Sequence, residues 1–65
     1  MLHKDLIETF ITNGFTFKRT INCNDEALVD EIGYWTKDDL IYIVETLDNN
    51  VVHIFQQIDY DQLAT

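Results

Sequence analysis

No proline occurs in this chain, and only two glycines, one cysteine and four basic residues stand among its 65 positions. Each shortage excludes something. Two isolated glycines leave no glycine-rich loop to cradle a phosphate. The lone Cys23 has no partner for an internal disulfide, and no Cys/His spacing matches a zinc site, so neither common staple of a small domain is present. With Pro and Gly so scarce and 46% of the residues apolar, the composition is that of a chain that folds rather than one that stays disordered. One domain is expected, burying only about 60% of the surface its unfolded chain exposes, so oligomerisation or a partner is the staple left.

The shortage of bases is uneven. Lys4, Lys18, Arg19 and Lys37 all precede residue 38, and no Lys or Arg follows; against these four stand twelve acids, for a formal charge of −8. Such a surface repels phosphate, which argues against direct binding of nucleic acid or an anionic membrane and for attraction of a basic protein. The amino-terminal stretch shows no basic region followed by an unbroken apolar run, and no stretch approaches membrane-spanning length. A free thiol fits a reducing compartment, so a cytoplasmic location is expected.

The pattern present is that of an α+β domain. Leu2, Leu6, Ile7, Phe10 and Ile11 recur at spacings of three and four, the stripe of an amphipathic helix. Asn13-Gly14 ends it, with Gly14 suited to the left-handed cap and Phe15 placed to touch Phe10. Residues 15–23 alternate as a strand, with Phe15, Phe17, Ile21 and Cys23 on one side and Arg19 as the exception among them. Residues 40–47 and 51–58 are β-branched and aromatic runs joined by Asp48-Asn49-Asn50, a β-hairpin. A three-residue loop would set Leu47 opposite Val51, Glu45 opposite His53 and Ile43 opposite Phe55. Both hairpin faces are then largely apolar. One short helix covers only one of them, so the second needs another cover.

Residues 24–33 read two ways. As a helix, Asn24 caps it, Asp25 and Glu26 sit in the first turn, and Leu28, Val29 and Ile32 face inward. As a strand, Leu28, Ile32 and Tyr34 alternate with Val29, Glu31, Gly33 and Trp35, and Lys37-Asp38-Asp39 turns the chain. The strand is preferred. The expected architecture is an N-terminal helix on a four-stranded antiparallel meander with a C-terminal hairpin, followed by a tail, 59–65, that frays or makes one turn.

No catalytic constellation emerges. The acids come as adjacent pairs, Asp25-Glu26, Asp30-Glu31 and Asp38-Asp39, whose side chains diverge on a strand, and the spacing of a calcium loop is absent. His3 and His53 have no ligand-spaced neighbour, and His53 is placed to pair with Glu45 across the hairpin. Cys23 lies on the apolar side of its strand, where a buried structural thiol is expected. No cofactor or metal is expected, and no enzyme.

The expectation is a non-enzymatic acidic interaction module that inhibits or regulates a basic, nucleic-acid-handling protein. Asp38, Asp39, Glu45 and Asp48 would supply charge, and Tyr34, Trp35 or Tyr42 the desolvated anchor, since Tyr and Trp are favoured at interface hot spots. On a strand Tyr34 and Trp35 point to opposite faces, so one serves the core and the other reaches outward. Rows of acids on a sheet could also imitate the charge of DNA. Small acidic chains without catalytic motifs are frequent among virus-encoded inhibitors, including those of phages, a compositional analogy with no motif behind it. The rival reading is a structural homodimer with no foreign target, paired through a sheet face or through the edge of residues 51–58, which hold no Lys, Arg, Pro or acid.

Overall fold

A computed structural model describes residues 1–24 and 27–59. Helix α1 (His3–Thr12) is followed by strands β1 (Thr16–Asn22), β2 (Glu31–Lys37), β3 (Leu40–Leu47) and β4 (Asn50–Ile58). The strands pair antiparallel in the order β1-β2-β3-β4, a meander. No described helix is long and apolar enough to cross a membrane. Residues 60–65, most of the expected tail, lie outside the described residues.

The ends of α1 show why it sits where it does. Its first turn has no side-chain cap at Leu2. Instead the His3 N–H donates to the Asn49 carbonyl at 2.8 Å and the Val51 N–H to the Met1 carbonyl at 2.8 Å, which ties the start of the chain to the β3–β4 turn. At the other end Gly14 adopts φ 85°. The Phe15 N–H reaches the Phe10 carbonyl at 2.9 Å and the Gly14 N–H that of Ile11 at 3.2 Å, the paired bonds of a Schellman cap. The Phe10 and Phe15 rings stack at 4.0 Å, as the spacing predicts.

Of the helix stripe, only Leu6 is fully buried, at 2% exposure; Ile7 and Phe10 are half-buried, while Leu2 and Ile11 remain exposed. Leu6 meets Trp35 and Val44 on one face of the sheet, ringed by Ile7, Phe10, Phe15, Tyr42 and Val51. The Trp35 ring takes Phe10 at 5.3 Å and Phe17 at 5.2 Å, both edge-on. This core is small: Leu6, Trp35 and Val44 are the only fully buried apolar side chains among the described residues.

Two bulges set which face each strand residue takes. In β1 the register shifts between Phe17 and Arg19, so Phe17 pairs with Trp35 on the helix side while Arg19 pairs with Tyr34 on the other. The simple alternation expected for residues 15–23 therefore breaks at Lys18, and Phe17 and Ile21 end on opposite faces. In the hairpin, Asp48 and Asn49 both take positive φ, 51° and 65°, the two-residue turn that matches strand twist. Leu47 consequently faces Asn50 rather than Val51, and a bulge at Val52 restores the expected pairs of Glu45 with His53 and Ile43 with Phe55.

The ambiguous segment is neither a helix nor a full strand where it is described. Residues 27–30 bend, and β2 starts only at Glu31. Leu28, placed inward by the helix reading, is 91% exposed. The cause is the hydrogen bonding at the strand's mouth: Cys23 N–H donates to the Asp30 carbonyl, and Asp30 N–H to that of Thr46. Pairing begins there, and residues 27–29 before it bend outside the ladder. Asp25 and Glu26, which would open the alternative helix, lie outside the described residues.

Candidate functional site: the uncovered sheet face

The helix lies on one face of the sheet, and the pairing register defines the other as three rows of side chains. Ile21, Ile32, Glu45 and His53 form one row; Arg19, Tyr34, Ile43 and Phe55 the next; Thr16, Thr36, Ile41 and Gln57 the third. Ile21, Ile32, Tyr34, Ile41, Ile43 and Phe55 thus make a contiguous apolar and aromatic surface over which no described element packs. Phe55 is 42% exposed and Ile21 38%. The second hairpin face expected to lie away from the helix thus extends across β1 and β2 as well.

Half of these twelve positions are polar, with Thr16, Thr36 and Gln57 in the third row and the charged or ionisable Arg19, Glu45 and His53 in the other two. The Arg19 guanidinium stands over the Tyr34 ring, 4.7 Å from its centroid. His53 Nδ1 lies 3.5 Å from Glu45 Oε1, and its ring rests 4.0 Å from that of Phe55. At such exposure a pair of this kind is worth less than about 1 kcal/mol, so it orders the face more than it stabilises the fold.

The acids frame the face rather than tile it. Asp38 and Asp39 form the β2–β3 turn at one end, where Asp38 takes φ 57°. Asp30 and Asp48 meet at the other, with the Asp48 N–H donating to the Asp30 carboxylate at 2.8 Å. The two ends are roughly 30 Å apart, the length of β3 and its turns. Among the acids on described strands, only Glu45 stands on the open face; Glu31 is on the helix side, 3.9 Å from His3.

The residues singled out from the sequence fall into three places. Tyr34 and Glu45 belong to the open face, and Asp38, Asp39 and Asp48 to its ends. Trp35 and Tyr42 point to the helix side, where Trp35 is 3% exposed and Tyr42 packs on Phe15 at 4.8 Å. They support the platform from behind. Ile21 and Arg19 join this face only through the bulge at Lys18, which simple alternation does not show; Arg19 on an otherwise apolar side is its one sequence signal.

A groove of about 370 Å³ lies on the helix side, between α1 and the β1–β2 edge, lined by His3, Ile7, Ile11, Phe17, Gly33 and Trp35 among others. No three His, Cys, Asp or Glu residues converge as a metal site among the described residues. Cys23 is half-buried just beyond β1, less enclosed than the sequence suggests.

No protein-family model, curated protein or solved structure matches this chain.

Proposed function

We propose that this protein is a non-enzymatic interaction module that docks a basic protein on the open face of its sheet and, where that partner handles nucleic acid, regulates it by occupying its binding groove. The observation that carries this reading is the contiguous set of Ile21, Ile32, Tyr34, Ile41, Ile43 and Phe55, left uncovered and bounded at both ends by acids. Ile21 and Phe55 are exposed and the other four half-buried between their strand neighbours, and an apolar cluster that no further element covers is a candidate interaction site. The acids would steer a cationic partner and fix its orientation, and the apolar rows would supply the contact energy once water leaves. Tyr34 is the natural anchor, an amphipathic ring in the middle row. Because the charge lies at the two ends, any competition with a nucleic acid works by end-on attraction and steric cover rather than by a ladder of acids.

The test is capture of heparin-binding proteins by the immobilised chain at low salt, compared with a Tyr34→Ala, Ile43→Ser double variant and with an Asp38→Asn, Asp39→Asn, Asp48→Asn triple variant. The face variant should lose capture at all salt concentrations, and the charge variant mainly at low salt. Capture that both variants retain would remove the open face and its acids from the function.

A further inference from the structure

The two edges of the sheet are guarded unequally. β1 carries Lys18 and Arg19 and is bent by its bulge, features that keep an edge strand from pairing with another chain. β4 has neither kind of guard along 53–58: it holds no Lys, Arg, Pro or acid there, and its single bulge lies at Val52, beside the turn. The start of the chain covers only the first part of that edge, through Met1 and Leu2 against Asn50 and Val51. Beyond them no described backbone group bonds the outer side of β4.

We infer that β4 pairs antiparallel with β4 of a second copy, across a two-fold axis normal to the sheet, joining two meanders into one eight-stranded sheet. Charge selects a second copy as the occupant. In a chain of formal charge −8, residues 53–58 are free of formal charge apart from the titratable His53, so two copies meet here with less repulsion than elsewhere. The strand is also self-complementary. With the axis at Phe55, Phe55 stands opposite Phe55, Ile54 opposite Gln56 and His53 opposite Gln57, which keeps face matched to face and sets an aromatic pair at the centre. The need is physical too: three fully buried apolar side chains among the described residues, with no disulfide beside them, are a thin basis for a fold, and a two-fold sheet extension adds burial.

The pairing does not depend on the docking reading, but it bears on it. Each open face spans roughly 15 by 17 Å, well short of the about 800 Å² that one side of a standard interface buries. The two-fold axis puts both open faces on the same side, with Phe55 at the seam, so a partner would meet one platform of about twice that width.

Light scattering from low micromolar to several hundred micromolar should give twice the 7.7 kDa mass of one chain, and amide exchange at alternate positions of 53–58 should slow as concentration rises. Ile54→Lys, on the exposed edge strand, should weaken the dimer about tenfold or more, while Ile21→Lys, at the far edge of the open face, should leave it unchanged. Circular dichroism checks that both variants fold; if Ile54→Lys does not, the exchange pattern of the unaltered chain decides. A monomer throughout, exchange in 53–58 that ignores concentration, or a dimer that Ile21→Lys weakens as much as Ile54→Lys would overturn the edge pairing. Loss of partner capture with the dimer intact would count against the docking reading alone.

Discussion

Arg19 lies over the ring of Tyr34 because the β1 bulge at Lys18 moves it to the face opposite Phe17, leaving its guanidinium 4.7 Å from the ring centroid. A charged residue thereby occupies an apolar face without being buried there, and the hydrophobic face of Tyr34 is partly screened until something displaces the guanidinium. Replacing Arg19 by Ala should cost only about 0.5–1 kcal/mol in denaturant unfolding, the size of an exposed cation–π contact. It should also increase binding of a hydrophobic dye to the open face. A loss of several kcal/mol would mean that Arg19 holds the bulge itself.

Gly33 sits in the middle of β2 on the helix side, over the groove, and a methyl group there would meet its nearest neighbour, Trp35 Nε1, at 3.5 Å, an ordinary contact. Its backbone conformation does not require glycine. Gly33→Ala should raise stability by about 0.5–1 kcal/mol, since glycine in a strand interior loses more entropy on folding. A thermal melt that shifts downward would show that the groove has no room for the methyl.

The hairpin turn offers the opposite case. Asn49 takes φ 65°, which a side chain tolerates poorly, and its carbonyl accepts the His3 N–H, a bond that glycine keeps. Asn49→Gly gives the Asp-Gly pair favoured in such turns and should stabilise by up to about 1 kcal/mol in a denaturant titration.

Asp30 closes the other side of that turn by accepting the Asp48 N–H. Asp30→Ala should cost about 0.5–2 kcal/mol, by analogy with the loss of a helix-capping oxygen, and amide exchange should quicken at Asp48 first. Asp30→Asn, which retains an acceptor, should recover most of the loss.

The core leaves little reserve. Leu6→Ala removes the one helix side chain that is fully buried and should cost about 2–5 kcal/mol. For a domain at the low end of the usual stability, about 5 kcal/mol, the upper part of that range leaves much of the protein unfolded at 37 °C, as the near-ultraviolet signal of Trp35 would report.

The sequence by itself determined the type and order of every element except the segment leading into β2, which read as helix or strand, because those follow from local periodicity and turn chemistry. The three-and-four spacing of the helix stripe, the Gly14 cap and the two runs either side of Asp48-Asn49 each express a short-range preference, and each element stands where those preferences put it. The opposition of Tyr34 and Trp35 was equally legible, since neighbouring strand residues must point apart. What only the tertiary structure decided is register. Both bulges arise from competition between a tight turn or a helix contact and the pairing of distant strands: one sends Arg19 and Ile21 to the open face, the other lets a two-residue turn coexist with the Glu45–His53 pair. Likewise Leu28, apolar and periodic, is left in water because pairing between strands begins only at Asp30 and Glu31. The lack of guards along 51–58 was legible in the sequence, but a face belongs to several strands at once, so which residues share the uncovered rows became visible only when all four strands were set side by side.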